Sequence, residues 1–149
     1  MENLKRKKKY TKAILILPAL IIAYISYLCI LHSEWGAKCY LNSHRSEIEE
    51  FALACLENGL QEDSYHGWQV DCYKDNEQVE FLVSASGFGS STSYTGIYYS
   101  ARNVPLGFQG SNVDFVPYEN GWRWKENNGD NWQYTERISE NWFWFEIHF

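Results

Sequence analysis

Apolar residues follow three patterns along this chain of 149 residues. Residues 13–31 form a run of 19 residues without a charged side chain, and a helix of that length spans roughly 28 Å at about 1.5 Å per residue. This length is close to the hydrocarbon thickness of a bilayer and predicts a transmembrane helix. Residues 43–58 then follow a helical period. From residue 68 onward, apolar positions alternate with a period of two, which is typical of half-buried strands.

Local signals mark both ends of the predicted helix at 43–58. Ser46 and Glu49 have capping-box spacing near its start, and Gly59 suits its end. Strand-like alternation follows in seven segments, at residues 68–73, 79–85, 94–100, 113–116, 122–126, 132–138 and 142–149. One amphipathic helix before about six to seven antiparallel strands predicts an α+β fold, in which the helix packs on one face of a meander sheet.

The charge distribution divides the chain at the same places. The formal net charge is −6, but residues 1–12 carry +5 and residues 33–149 carry −11. A basic flank before an apolar run predicts a cytoplasmic N-terminus and a C-terminal domain outside the cell membrane. We therefore expect a basic cytoplasmic tail at 1–12, a transmembrane helix at 13–31, a juxtamembrane linker at 32–42 and an extracytoplasmic α+β domain at 43–149.

A cleaved signal peptide is the alternative interpretation of the apolar run. Its basic flank and apolar core would look similar, but residues 31–40 lack two small residues at the spacing of a cleavage site. We therefore expect a single-pass protein whose first partner is the lipid bilayer, through residues 13–31. The acidic balance argues against nucleic-acid binding, because binding to phosphates requires basic groups.

The four cysteines allow two interpretations. Cys29 lies in the predicted anchor, so at most one intramolecular disulfide can form among Cys39, Cys55 and Cys72 outside the cell. Pairing of Cys39 with Cys72 or with Cys55 would tie the juxtamembrane segment to the domain. The alternative, which we adopt, is that the thiols stay free and serve as small apolar side chains. The Cys and His spacing does not suggest zinc, so we expect no metal and no cofactor.

Aromatic residues make up 17% of the chain, and five of the seven tryptophans fall between residues 122 and 144. The order Trp, any residue, aromatic, any residue, Glu occurs three times, starting at Trp122, Trp132 and Trp142. A ten-residue period is even, so short turns would keep these aromatic side chains on one sheet face. The candidate ligand-binding residues are Trp122, Trp124, Trp132, Tyr134, Trp142, Trp144, Glu136 and Glu146.

An aromatic face with carboxylates suits sugars, peptidoglycan or a quaternary amine. The alternative is cross-strand aromatic packing that only stabilises the sheet. We expect a non-enzymatic binding module for a cell-surface glycan or a membrane protein partner. No serine lies in the sequence pattern of a nucleophile elbow, and the spacing of the glutamates does not predict the pair of carboxylates that a glycosidase needs. A structural or assembly subunit of a membrane complex is the second hypothesis, and a small hydrolase is the third. Solvent exposure of the tryptophans separates the first from the second.

Two stretches carry a family resemblance. They are residues 98–110 (YYSARNVPLGFQG) and residues 129–146 (GDNWQYTERISENWFWFE). Together with the helix around Ile48, they resemble uncharacterised small single-pass membrane proteins of anaerobic Gram-positive bacteria. The resemblance implies a bacterial origin and an anchored layout. That family has no assigned activity, so the resemblance implies no catalytic residues.

Overall fold

The computed structural model describes residues 18–30, 32–59, 62–89 and 91–149. The chain forms two compact units, Met1–His32 and Ser33–Phe149. The first contains helix α1 (Pro18–Ile30). The predicted basic tail and the first part of the predicted anchor lie outside the described residues. In the described ranges, no single helix is long and apolar enough to cross a membrane. Helix α1 and the helix that follows it pass this test of length and composition only when they are taken together.

The second unit begins with helix α2 (Glu34–Asn58). Ser33 is its N-cap, and the Ser33 side chain accepts a hydrogen bond of 3.1 Å from the Gly36 N–H. Gly59 ends the helix as predicted, with a φ of 86° that favours glycine and an N–H that donates to the Cys55 carbonyl. The start of the helix and its end are therefore both capped.

Most of the residues predicted as a juxtamembrane linker, 32–42, are helical, because α2 already begins at Glu34. The predicted start at residue 43 coincides with a kink, since His44 has non-helical angles (φ −124°, ψ 23°). The Ser43 hydroxyl donates to the Cys39 carbonyl, and His44 Nδ1 lies 3.2 Å from the Tyr40 carbonyl. Side chains that hydrogen-bond to helix carbonyls compete with the backbone N–H groups for these acceptors, and this bends a helix. The residues predicted to start a helix therefore mark a bend inside a longer one.

Eight strands follow α2. They are β1 (Ser64–Tyr65), β2 (Trp68–Tyr73), β3 (Gln78–Phe88), β4 (Ser91–Ser100), β5 (Val116–Tyr118), β6 (Gly121–Lys125), β7 (Trp132–Ser139) and β8 (Trp142–His148). Two short 3₁₀ turns lie at Lys74–Asn76 and Phe108–Gly110. The prediction missed β1. It also placed a strand at 113–116, whereas β5 begins at Val116, so only Val116 of the predicted range belongs to it.

The strands form one antiparallel sheet with the order β1-β2-β3-β4-β8-β7-β6-β5. The α+β class is therefore confirmed, but a simple meander is wrong. Residues 101–115 carry the chain from β4 at the centre to β5 at the far edge, and β6 to β8 return step by step until β8 pairs with β4. The sheet thus joins two four-stranded meanders at its centre.

The two sheet faces have separate cores. We call the face with Phe81, Ile97 and Trp142 the helix face, because the buried side of α2 packs against it. The buried residues of α2 are Ala37, Leu41, Ile48, Ala52 and Cys55.

We call the opposite face, with Tyr98, Phe143 and Phe145, the loop face. Leu106 and Phe108 of the β4–β5 connection pack against it. Gly96 makes room there, because a Cβ at that position would lie 2.8 Å from the ring of Phe145. Both faces of β8 are therefore covered.

Candidate functional site

The structure divides the predicted aromatic set between the two faces. Trp144 of β8 pairs with Glu136 of β7, so Trp132 and Tyr134 do share a face with the β8 tryptophans. Trp122 and Trp124 of β6, however, pair with Thr135 and Gln133 and lie on the loop face. The prediction that all six aromatic residues share one face is wrong.

Hairpin parity explains the division. An even number of residues, 126–131, separates the paired Lys125 and Trp132, so even-numbered residues of β6 face odd-numbered residues of β7. The β7–β8 register instead shifts by one between Arg137 and Ser139, and this bulge restores equal parity. A constant sequence period therefore places the β6 tryptophans on one face and the aromatic residues of β7 and β8 on the other.

Burial removes Trp142 and Trp144 from the candidate site. Their side chains are 0% and 4% exposed, under α2. Trp142 contacts the Tyr99 ring edge-on at a centroid distance of 5.3 Å. On the loop face, Trp122 packs near Phe143 with ring centroids 6.2 Å apart. These residues stabilise the domain, as cross-strand packing predicts.

Glu136 is occupied by contacts within the fold. It forms an ion pair with Lys38 of α2 and accepts a hydrogen bond of 2.9 Å from the Tyr134 hydroxyl. Burial alone would raise the pKa of Glu136, but these two hydrogen bonds outweigh it and the pKa lies below its usual value. Burial, with Glu136 nearby, raises the pKa of Tyr134 to about 12, so its hydroxyl remains a donor. Glu136 therefore joins α2 to β7.

A stacked row crosses the helix face outside the core under α2. The Arg123 guanidinium lies 5.1 Å from the ring centroid of Tyr118 and 5.4 Å from that of Trp132. The Trp132 ring also stacks with His148 at 6.1 Å, and His148 Nδ1 lies 2.8 Å from the Ser93 hydroxyl. The row links β5, β6, β7, β8 and β4 in turn.

A cleft of about 330 Å³ opens beside this row. Its lining residues are Tyr118, Glu119, Arg123, Trp132, Tyr134 and Glu146. Only Trp132, Tyr134 and Glu146 belong to the predicted set. The prediction missed Tyr118, Glu119 and Arg123. It placed Trp122 and Trp124 on the same face as Trp132, whereas the β6 register puts Arg123 on that face instead.

The charged groups of the cleft form no ion pairs within the part of the chain that the structure describes. Arg123 Nε is buried and has no hydrogen-bond partner among the residues that the structure describes. Arg123 and Glu146 line the same cleft, yet none of the ion pairs found within 4.0 Å in the described ranges involves either of them. The guanidinium of Arg123 and the carboxylate of Glu146 thus line the cleft beside aromatic rings without an ion-pair partner in the described ranges.

The cysteines and acidic groups form no further site. All four cysteines are free thiols, and Cys72 donates through its thiol to the Cys55 carbonyl at 3.3 Å. Burial raises the pKa of Cys55 to about 11, so its thiol stays protonated. Within the described part of the chain, no group of three His, Cys, Asp or Glu side chains could hold a metal ion.

Comparisons with known proteins add no relative. No family model, no curated protein and no solved structure matches this chain. The resemblance to small single-pass membrane proteins therefore stays a prediction, and the geometry of the cleft carries the functional proposal.

Proposed function

We propose that this protein is a membrane-anchored binding module that takes a cell-surface glycan in the cleft between Tyr118 and Glu146. Residues 13–31 form the anchor, the N-terminus is cytoplasmic and the domain lies outside. The charge of +5 before the apolar run and −11 after it supports this topology. The protein acts by binding, without a cofactor.

The observation that carries the proposal is the cleft itself. It is concave, it combines three aromatic side chains with a cation and two carboxylates, and its charged groups form no ion pair within the described residues. Sugar sites combine ring faces for the C–H surface with polar groups for the hydroxyls. Tyr118 supplies such a ring surface, since its side chain is 41% exposed.

The proposal can be tested by sedimentation of the full chain, held in detergent micelles, with purified insoluble cell wall. We expect the wild type to sediment and Tyr118→Ala to lose roughly tenfold in affinity, which corresponds to about 1.4 kcal/mol. Phe88→Ala is the matched control, because Phe88 is an aromatic residue 96% exposed at the end of β3, outside the cleft. A wild-type chain that stays in the supernatant refutes the proposal, and equal losses in both variants indicate unspecific adhesion.

The topology has its own test. Alkaline phosphatase fused after Phe149 folds only outside the cytoplasm, so the fusion should be active in an expressing bacterium. An inactive fusion of normal abundance reverses the proposed orientation.

A structural or assembly subunit is the second candidate. It is favoured by Trp35, whose side chain is 66% exposed on the first turn of α2. Tryptophan is enriched at protein interfaces, so an exposed tryptophan at a helix start fits a contact with another membrane protein. A hydrolase, the third candidate, is favoured among the described residues by the hydrogen bond between Ser93 and His148 alone. A serine nucleophile also requires an orienting acid and an oxyanion site.

A further inference from the structure

The cleft is not suited to a quaternary ammonium group. Such a cation binds against the faces of aromatic rings. Here the Arg123 guanidinium already lies near the rings of Tyr118 and Trp132, and His148 stacks on Trp132 as well. A second cation would compete for the same ring faces and would be repelled by Arg123.

The charges of the cleft also disfavour a strongly anionic ligand. Glu119 and Glu146 line it together with a single cation, Arg123, in a unit that carries −11 overall. A group that suits this arrangement is neutral, and it presents an acceptor to the guanidinium and a donor to a carboxylate. An amide has both, with its C=O and N–H on adjacent atoms.

We infer that the cleft recognises the acetamido group of an N-acetylated sugar, an inference that rests on the proposed glycan-binding function. The acetamido C=O accepts a hydrogen bond from Arg123, and the acetamido N–H donates to Glu146. The sugar ring packs against the exposed side of Tyr118. A volume of about 330 Å³ lies at the lower end of the range for ligand sites, so the cleft has room for one sugar unit of a longer chain.

Hydrogen bonds to charged groups give this arrangement its selectivity. A hydroxyl in place of the acetamido group also donates and accepts, but both hydrogen bonds must then meet at one oxygen atom. An amide places its donor and its acceptor on two atoms, so each protein group can approach in good geometry, and we expect the hydroxyl to bind roughly tenfold more weakly. The acetylated sugar therefore binds more tightly than the plain sugar although the rings are otherwise the same.

The test uses the full chain in a polyoxyethylene detergent, which has no sugar headgroup, and measures dissociation constants by calorimetry. The probes are three tetrasaccharides with the same β-1,4 linkage, built from N-acetylglucosamine, from glucosamine or from glucose. We expect the acetylated tetramer to have at least a roughly tenfold lower Kd than either of the others.

Variants separate the two polar contacts. Glu146→Gln and Arg123→Lys should each raise the Kd of the acetylated tetramer by roughly tenfold and raise that of the glucose tetramer by a smaller factor. Glu140→Gln and Arg102→Lys are the matched controls, since Glu140 and Arg102 are exposed and do not line the cleft. Thermal unfolding of each variant checks that the fold is retained.

Each other outcome overturns a defined part of the inference. Equal Kd values for the acetylated and glucose tetramers overturn the acetamido inference and leave glycan binding standing. Tighter binding of the glucosamine tetramer shows that the carboxylates select a cation. Sedimentation with cell wall but no binding of any tetramer also overturns the acetamido inference. Failure of both sedimentation and tetramer binding refutes the proposed function itself.

Discussion

The helix face and the loop face of the sheet are covered in different ways. On the helix face, α2 satisfies most of its backbone hydrogen bonds internally and contributes apolar side chains. On the loop face, the irregular segment 106–109 has backbone groups that need partners from the sheet. Gln133 accepts from the Phe108 N–H at 2.8 Å and donates to the Leu106 carbonyl at 3.2 Å. Tyr98 accepts from the Leu106 N–H at 3.0 Å.

The difference explains where polar side chains are buried. In the described ranges, the buried polar residues are Gln78, Glu80, Ser100, Gln133 and Thr135. The strand registers place all of them on the loop face. A helix can cover a sheet with apolar contacts alone, whereas a loop also requires buried donors and acceptors, because an unpaired backbone group costs about 1–3 kcal/mol. Four predictions test this contrast, from the largest effect to the smallest.

Deleting residues 143–149 should have the largest effect, because β8 contributes to both cores at once. Trp144 lies in the helix-face core, and Phe143, Phe145 and Ile147 lie in the loop-face core. We expect cooperative unfolding to be lost, measured by near-UV circular dichroism during heating. A sharp, unchanged melting transition would show that one face can fold without the other.

Leu41→Ala tests the helix face alone. Leu41 is fully buried, so the change leaves a cavity and should lower the free energy of unfolding by about 2–5 kcal/mol in a urea titration. Leu53→Ala is the control on the same helix, because Leu53 is 47% exposed and should cost less than about 0.5 kcal/mol. Similar losses in the two variants would mean that α2 does not pack as described.

Gln133→Leu tests the loop face alone. The substituted side chain is similar in size, but it leaves the Phe108 N–H and the Leu106 carbonyl without their partner. We expect a loss of about 2–4 kcal/mol and faster hydrogen exchange at the Phe108 amide. Gln69→Leu, at an exposed position of β2, is the control. If Gln133→Leu is neutral, the polar contacts do not hold the loop.

The sequence predicted the features that depend on local pattern. The bounds of β2 agree with the predicted 68–73, and α2 ends before Gly59 as expected. Both follow from side-chain period and capping chemistry, which act within a few residues. The faces occupied by Trp122 and Trp124 depended instead on the even length of the β6–β7 connection, and the face shared by β7 and β8 depended on a bulge in β7. The bulge leaves no signal in the apolar pattern.

The candidate site was predictable only in part for the same reason. Trp132, Tyr134 and Glu146 were singled out by their spacing, and they do line the cleft. Arg123 and Tyr118 join them only because of the β6 register and the position of β5 at the sheet edge. The burial of Gln133 likewise depends on a loop that crosses the sheet from a distant part of the chain.

Glu80 supplies the most selective test of the loop face, because its effect depends on pH. Its carboxyl oxygen Oε1 accepts hydrogen bonds of 2.8 Å from Gln78 Nε2 and from the Gln109 N–H. Burial raises the pKa of Glu80 from 4.5 to about 8, with Asp71 adding to the shift and the Gln109 N–H opposing it. The folded protein therefore keeps the proton at neutral pH, whereas the unfolded chain releases it near pH 4.5.

A raised carboxyl pKa makes the folded state less stable as pH rises, since the folded state binds more protons than the unfolded state between these two values. The contribution of Glu80 should fall by up to about 1.4 kcal/mol per pH unit from pH 5 to 7 and level off above pH 8. Glu80→Gln keeps an acceptor oxygen and has no proton to release, so its unfolding free energy relative to wild type should rise over that range. Glu77→Gln is the exposed control and should follow the wild type. Parallel curves for Glu80→Gln and wild type would show that the β4–β5 connection does not exclude water from the loop face.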